Sequence, residues 1–288
     1  MQPPDFLGIG AQKAGTTWLY RMLGQHPGIW LPPLKELHYF SALYLGYVRD
    51  PETGLCTLDI LRMQKSLKSV EWLVGSEQSE WEKIRRIYAQ ALIGLRTMSD
   101  EWYLSVFGLA PPGPVLKGEI TPEYALLPDH GVEHIARVNP QIKIVFLLRD
   151  PIERGWSDLR MERHQLQLQE QPPDRDYLED TRFIERADYA TTIERYRKFL
   201  PHENILVIYY DELATQPMVL LERVCRFLGA EFDPAMFRDT GSVIHAGPRR
   251  EMPPEIYRKM RDVLRPGFDR LLALEEPTMQ LWHKKHYG

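Results

Sequence analysis

The run Phe6-Leu-Gly-Ile-Gly10 is apolar and predicts a buried strand. Behind it Trp18, Leu19, Met22 and Leu23 fall at helical spacing. They predict a helix over Thr17–Gln25, ended by His26-Pro27-Gly28. Ile29–Leu31 reads as a short strand closed by Pro32-Pro33. Val115–Ile120 and Ile205–Tyr210 read as strands. Ile142–Leu148 is the clearest one, an unbroken apolar run rich in branched side chains. Helical periodicity marks Glu80–Arg96, Trp102–Leu109, His130–Val138, Ile152–His164, Tyr189–Leu200 and Met218–Leu228, the last stopping at Gly229. Pro254–Lys284 predicts two helices split near Pro266-Gly267. Val70–Val74 is weakly apolar, Leu166–Asp180 reads as a polar, mobile stretch, and Thr240–Pro254 reads as a Gly/Pro/Arg loop.

Strands alternating with helices predict an α/β fold: one P-loop-like domain with a central parallel sheet, flanked by helices, and a mainly helical insertion. Ligands in such sheets bind beyond the carboxyl ends of the strands. The chain of 288 residues is 43% hydrophobic and 26% charged, ordinary for a globular protein. Its net charge of −4 gives no drive toward nucleic acid or an anionic membrane. No apolar run approaches the roughly 20 residues that span a bilayer. The first strand begins near Asp5, which we read as leaving no room for a leader. Cys56 and Cys225 are too few for a disulfide framework and suggest a reducing, cytoplasmic setting. Aromatic residues at 39–47 and 102–107 read as core.

Candidate chemistry starts at the first strand-to-helix turn. Backbone N–H groups at a helix N-terminus after a Gly-rich loop face an anion. Gly10 and Gly15 have Walker A spacing, but Thr16 stands where the Walker lysine belongs and Lys13 lies inside the loop. Lys13 is suited to neutralise charge on a departing oxygen, and the N–H groups of Ala14 to Thr17 to hold a phosphate. In Leu147-Leu-Arg-Asp-Pro-Ile-Glu-Arg-Gly-Trp-Ser157, Arg149 tips a buried strand and needs an anion or water. Asp150-Pro151 suits a helix start. Leu34-Lys-Glu-Leu-His-Tyr-Phe40 offers Glu36 as a base, with His38 on the same side of an extended segment. Structural readings stand beside these: an Arg149 ion pair, a surface Glu36 with a core-rim His38, and Thr121-Pro122 as a plain turn.

Gln12-Lys-Ala-Gly-Thr-Thr-Trp18 resembles the 5′-phosphosulfate loop of sulfotransferases that use 3′-phosphoadenosine 5′-phosphosulfate (PAPS). The resemblance implies a loop of Lys13, Ala14, Gly15, Thr16, Thr17 and Trp18 around the donor. Arg149 followed eight residues later by Ser157 is similar to that family's 3′-phosphate site. Leu34–Phe40 and Gly118-Glu-Ile-Thr-Pro-Glu-Tyr124 resemble segments of the heparan-sulfate branch and its bacterial relatives, where the glutamate at Glu36 is the base. Ile120 and Thr17 stand where that branch carries positive charge, which argues against a polyanionic acceptor. Gly247, Arg249 and Arg250 match a late loop that covers the cofactor phosphates. The implied reaction is metal-independent sulfuryl transfer to a hydroxyl or amine of a small-molecule, lipid-like or carbohydrate acceptor. Residues 41–114 and 160–188 would set acceptor specificity. A P-loop nucleotide kinase and a non-catalytic nucleotide-binding protein stay open as alternatives.

Overall fold

The computed structural model describes residues 2–32, 35–45, 99–165, 175–241 and 251–288. The expected helix at 80–96, the apolar stretch at 70–74, Cys56, Gly247, Arg249 and Arg250 lie outside the described residues, as does most of the polar stretch at 166–180.

Strand β1 (Phe6–Gly10) is buried along its whole length, as a parallel strand covered on both faces must be. The chain continues through α1 (Thr16–Leu23), β2 (Ile29–Trp30), α2 (Tyr39–Tyr44) and α3 (Asp100–Phe107) to β3 (Leu116–Ile120). After β3 come a 3-10 turn (Pro122–Leu126), α4 (Asp129–Val138), β4 (Lys143–Leu148) and α5 (Pro151–Gln165). Short helices α6 (Arg175–Glu179) and α7 (Thr181–Glu185) lead to α8 (Tyr189–Phe199), β5 (Ile205–Tyr209), α9 (Tyr210–Thr215) and α10 (Pro217–Leu228). Helices α11 (Pro254–Leu272) and α12 (Pro277–Tyr287) complete the chain.

The described strands form one sheet in the order β2-β3-β1-β4-β5. Every pairing is parallel, in register Phe6↔Gly118, Phe6↔Lys143 and Ile144↔Ile205. Central β1 therefore lies between β3 and β4. The Ala11 N–H donates to the Leu147 carbonyl at 2.6 Å, so the loops after β1 and β4 leave the sheet side by side. This is where an open parallel sheet binds its ligand. The aromatic residues of α2 and α3 are core: Tyr39, Phe40, Tyr103 and Phe107 are buried together. Among the described residues no helix is long and apolar enough to cross a membrane.

The expected break at Pro266 does not occur. Helix α11 runs through Pro266, and the interruption falls at residues 273–276. Ile256, Met260, Leu264, Phe268 and Leu271 make one buried stripe across the proline, which is itself exposed. Burying such side chains contributes about 1.5–3 kcal/mol each, against about 3 kcal/mol for an internal proline.

Arg154 is a fully buried cation on α5. It donates to Asp158 at 3.0 Å and to the Phe183 carbonyl at 3.3 Å, and it lies 5.3 Å from the Phe183 ring. These contacts bolt α5 to α7. Arg154→Ala leaves the buried Asp158 with its ion pair to Arg186 at 3.5 Å and the more distant Lys13. We expect a loss of roughly 3–5 kcal/mol, read from urea unfolding midpoints. A loss below about 1 kcal/mol, the level of an exposed pair, would show that water reaches this pair.

Candidate active site

The loop between β1 and α1 is built by backbone geometry. Gly15 caps α1 at φ 101, the left-handed region that glycine enters without strain. A Cβ at Gly15 would also meet Leu213 Cδ1 at 3.0 Å. Lys13 is held at φ 68. The Ala14 N–H donates to the Ala11 carbonyl at 3.1 Å, and the Trp18 N–H to the Gly15 carbonyl at 2.9 Å. Both are therefore engaged within the turn. The N–H groups of Gly15, Thr16 and Thr17 meet no acceptor among the described residues and lie at the positive end of α1. The Trp18 side chain is buried, and its indole N–H donates to the Thr240 carbonyl at 2.8 Å. It ties the loop to the chain just ahead of the Gly247–Arg250 segment.

Cations crowd this N–H cradle. Arg149 Nη1 donates to the Lys13 carbonyl at 3.4 Å, and its guanidinium lies 4.5 Å from the Tyr210 ring. Arg149 Nε has no acceptor among the described residues, and its carboxylate contact, Glu153, is 3.5 Å away. Lys13 Nζ points at Met161 Sδ, 3.2 Å away. Burial lowers the pKa of Lys13; Asp158 opposes this, and Arg149, Arg160 and Lys35 push it lower still. Ser157 is half-buried on α5, one turn before Met161 and on the same face. Asp150 caps α5 as expected, accepting from the Ile152 and Glu153 N–H groups at 3.0 and 3.3 Å. Its other oxygen accepts from Lys285 at 2.9 Å and His286 Nε2 at 2.7 Å. Sequence reasoning missed these two C-terminal residues, since only the tertiary packing of α12 brings them to Asp150.

Glu36 and His38 also meet, but not along an extended segment. Both have positive φ, 70 and 58, because the chain coils into α2 with His38 at its start. His38 Nε2 is 3.4 Å from Glu36 Oε2, and its Nδ1 is 3.2 Å from Glu123 Oε2. Lys35 pairs with Glu36. The segment is held from below by Glu119. That fully buried carboxylate accepts from Tyr103 at 2.7 Å, Thr121 at 2.7 Å, Tyr124 at 3.0 Å and the Leu37 N–H at 3.3 Å. The pattern Gly118–Tyr124 flagged this strand, but not the roles of Glu119 and Glu123. Ile120, by contrast, is fully buried against Gly8, so its lack of charge says nothing about the acceptor side.

Burial opposes charge on Glu36, but Lys35 and His38 outweigh it and bring the pKa down to about 2. Burial likewise opposes charge on His38, but Glu123 and Glu36 prevail and hold it up at about 9. At neutral pH the pair is carboxylate and imidazolium.

The model of the Sulfotransferase family matches residues 4–234. The chain belongs to the sulfotransferase family. Human heparan sulfate glucosamine 3-O-sulfotransferase 5 is 26% identical over 238 residues, 79% of this chain and 54% of that protein. Carbohydrate sulfotransferase 15 of Rattus norvegicus is 27% identical over 164 residues, 54% of this chain and 26% of that protein. Membrane-associated sulfotransferase kil1 of Dictyostelium discoideum is 25% identical over 199 residues, 68% of this chain and 31% of that protein. The chain thus spans between 26% and 54% of the length of these relatives. In structure it is similar to a sulfotransferase from Alicyclobacillus acidocaldarius, with TM-score 0.69 and 21% identity, covering 98% of this chain and 100% of that one. A sulfotransferase from Mycobacterium avium gives TM-score 0.51 and 16% identity, covering 95% and 76%. The family match bears out the resemblance, and the structural likenesses bear out the α/β fold.

The pKa directions set a pH dependence of stability. His38 is raised on folding, so its contribution is complete below pH 6.5 and is lost as pH rises through about 9. Glu36 is lowered, so its contribution is present above pH 4.5 and is lost as pH falls toward 2. The melting temperature of His38→Gln should fall furthest below wild type at pH 6, with the gap closing between pH 6.5 and 9. A gap independent of pH would contradict an imidazolium at this position.

Proposed function

We propose that this chain transfers a sulfuryl group from PAPS to a hydroxyl or amine of a neutral, weakly polar or lipid-like acceptor. The observation that carries the reading is the meeting of Lys13, Arg149 and the N–H groups of Gly15, Thr16 and Thr17 at one point with too little negative charge to balance them. Such a cradle fits an anion with separated charges. Gly15, Thr16 and Thr17 would hold its 5′-phosphate through N–H and hydroxyl groups, and Arg149 and Ser157 its 3′-phosphate. Gly247, Arg249 and Arg250 would cover the phosphates by resemblance. When bound, PAPS supplies an activated sulfuryl group for in-line transfer.

The chain's own residues divide the remaining work. Lys13 brings positive charge to the oxygen on which negative charge grows, where a preorganised donor is most effective. Glu36, ionised at neutral pH, takes the acceptor's proton, and His38 orients the carboxylate. His38 is already protonated and is the weaker candidate for the base. Near the acceptor, Lys35 and His38 balance Glu36 and Glu123, which leaves no unmatched cations among these residues for a polyanionic chain. The low cysteine usage supports a cytoplasmic setting.

Lys13→Ala should lower turnover by about two to three orders of magnitude in a labelled-PAPS assay, the cost typical of a lost transition-state donor. Wild-type turnover in that variant would end the assignment. Without metal, 3′-phosphoadenosine 5′-phosphate at about 100 times its Kd should stabilise the protein by about 2.7 kcal/mol. Stabilisation by Mg-ATP instead would favour the kinase reading. Arg149→Ala should weaken binding of the 3′-phosphorylated nucleotide by roughly 2–5 kcal/mol, but that of adenosine 5′-phosphosulfate much less. Equal losses would make Arg149 structural. Acceptor affinity should change little between low and physiological ionic strength; robust sulfation of heparan oligosaccharides would overturn the acceptor class alone.

A further inference from the structure

One carboxylate at the acceptor side has no part in the reaction above. Glu123 stands on the 3-10 turn after β3 with its side chain 5% exposed. Its Oε2 lies 3.2 Å from His38 Nδ1, while Glu36 Oε2 lies 3.4 Å from Nε2 on the opposite edge of the ring. An imidazole that donates from both nitrogens is a cation with no site left for a proton. The turn carrying Glu123 is anchored on both sides. Tyr124 donates to Glu119 at 3.0 Å, and Tyr196 donates to the Tyr124 carbonyl at 2.9 Å. Glu123 is thus delivered to His38 by buried hydrogen bonds rather than by a mobile surface side chain.

Building on the sulfuryl-transfer reading, we propose that Glu123 is a positioning residue that acts through His38, locking the ring as a two-sided donor so that Glu36 alone takes the acceptor's proton. The charged groups facing His38 are Glu36 on its own segment, with Lys35 paired behind it, and Glu123 on the turn. Ser41 on α2 lies 3.1 Å from Nδ1 and donates its own proton to the His38 carbonyl, so it adds an uncharged acceptor. Glu119 holds the neighbouring Leu37 N–H. With both carboxylates in place His38 stays charged to about pH 9. Remove Glu123, and Nδ1 keeps only a serine oxygen. The ring then loses its charge nearer the ordinary value of about 6.5. A neutral His38 competes with Glu36 for the proton and no longer holds that carboxylate by an ion pair.

The test compares wild type, Glu123→Gln and Glu123→Asp in the full chain. His38 is titrated by NMR in the ligand-free protein, with His38→Gln to assign its signal. We expect a midpoint near 9 in wild type, near or below about 7 in Glu123→Gln, and a return toward wild type in Glu123→Asp. The alkaline limb of kcat should move to lower pH in parallel. At pH 8, kcat should fall about tenfold while KM for PAPS changes less than about twofold. An unchanged His38 midpoint, or a kcat that falls equally at every pH, overturns the proposal. If Glu123→Gln does not fold, a wild-type midpoint at or below 6.5 overturns it and a midpoint near 9 restored in Glu123→Asp supports it. Loss of 3′-phosphoadenosine 5′-phosphate stabilisation in wild type would sink the donor assignment instead, and the His38 titration reads independently of it.

Discussion

Like charges held together in a partly dry place repel, and this protein holds Lys13 within reach of Arg149 and Arg160. Such an arrangement persists only if the surrounding structure is stable enough to impose it. The sheet does so first. Because β1 and β4 pair directly, the loop with Lys13 and the tip with Arg149 cannot separate without breaking the ladder. Helix α5 does so next. Its cap, Asp150, is fixed by Lys285 and His286, and its middle by the buried Arg154–Asp158 pair. Tyr189 donates to the Arg149 carbonyl at 2.7 Å and holds the backbone between them. Much of the fold's polar bonding around β4 can be read as support for a positive field that, alone, would spread apart.

The acceptor side solves a different problem. A carboxylate buried as fully as Glu119 is costly unless its lone pairs are satisfied. Burial raises its pKa, and the hydroxyls of Tyr103, Thr121 and Tyr124 pull the other way. The bonds it accepts come from α3, from the end of β3, from the turn after it and from the segment leading into α2. Glu119 thus joins pieces far apart in sequence, and it fixes Leu37 between Glu36 and His38. The positive φ angles of those two residues are affordable because Leu37 is tied down between them.

Much of this was legible in the chain. Apolar runs located the described strands to within a residue or two, since a strand buried on both faces admits few polar positions. The Gly-rich turn and the Arg149-Asp150-Pro151 tip were readable because backbone geometry and capping act locally. What escaped was set by distant contacts. Nothing near Asp150 in sequence points to Lys285 and His286. The turn at Pro122 hid Glu123 because its partner, His38, arrives from the other side of the insertion. Pro266 misled for the complementary reason: a local breaker was overruled by a buried stripe on both sides of it. The period-2 argument placed Glu36 and His38 together correctly but for the wrong cause.

The two halves of the site therefore differ in electrical character. Around the β1–α1 loop, the N–H groups of Gly15 to Thr17 meet no acceptor among the described residues, and burial and neighbouring cations work against the charge on Lys13. A polyanion placed there would relieve that repulsion. On the acceptor side, Lys35, Glu36, His38 and Glu123 cancel among themselves, and each charged group has its partner before any ligand arrives. A site balanced in this way offers little net charge to a ligand. The asymmetry follows from the positions of the carboxylates. Asp150 is engaged by His286 and Lys285, and Asp158, which also acts on Lys13, is shared with Arg154 and Arg186, whereas Glu36 and Glu123 are aimed at His38.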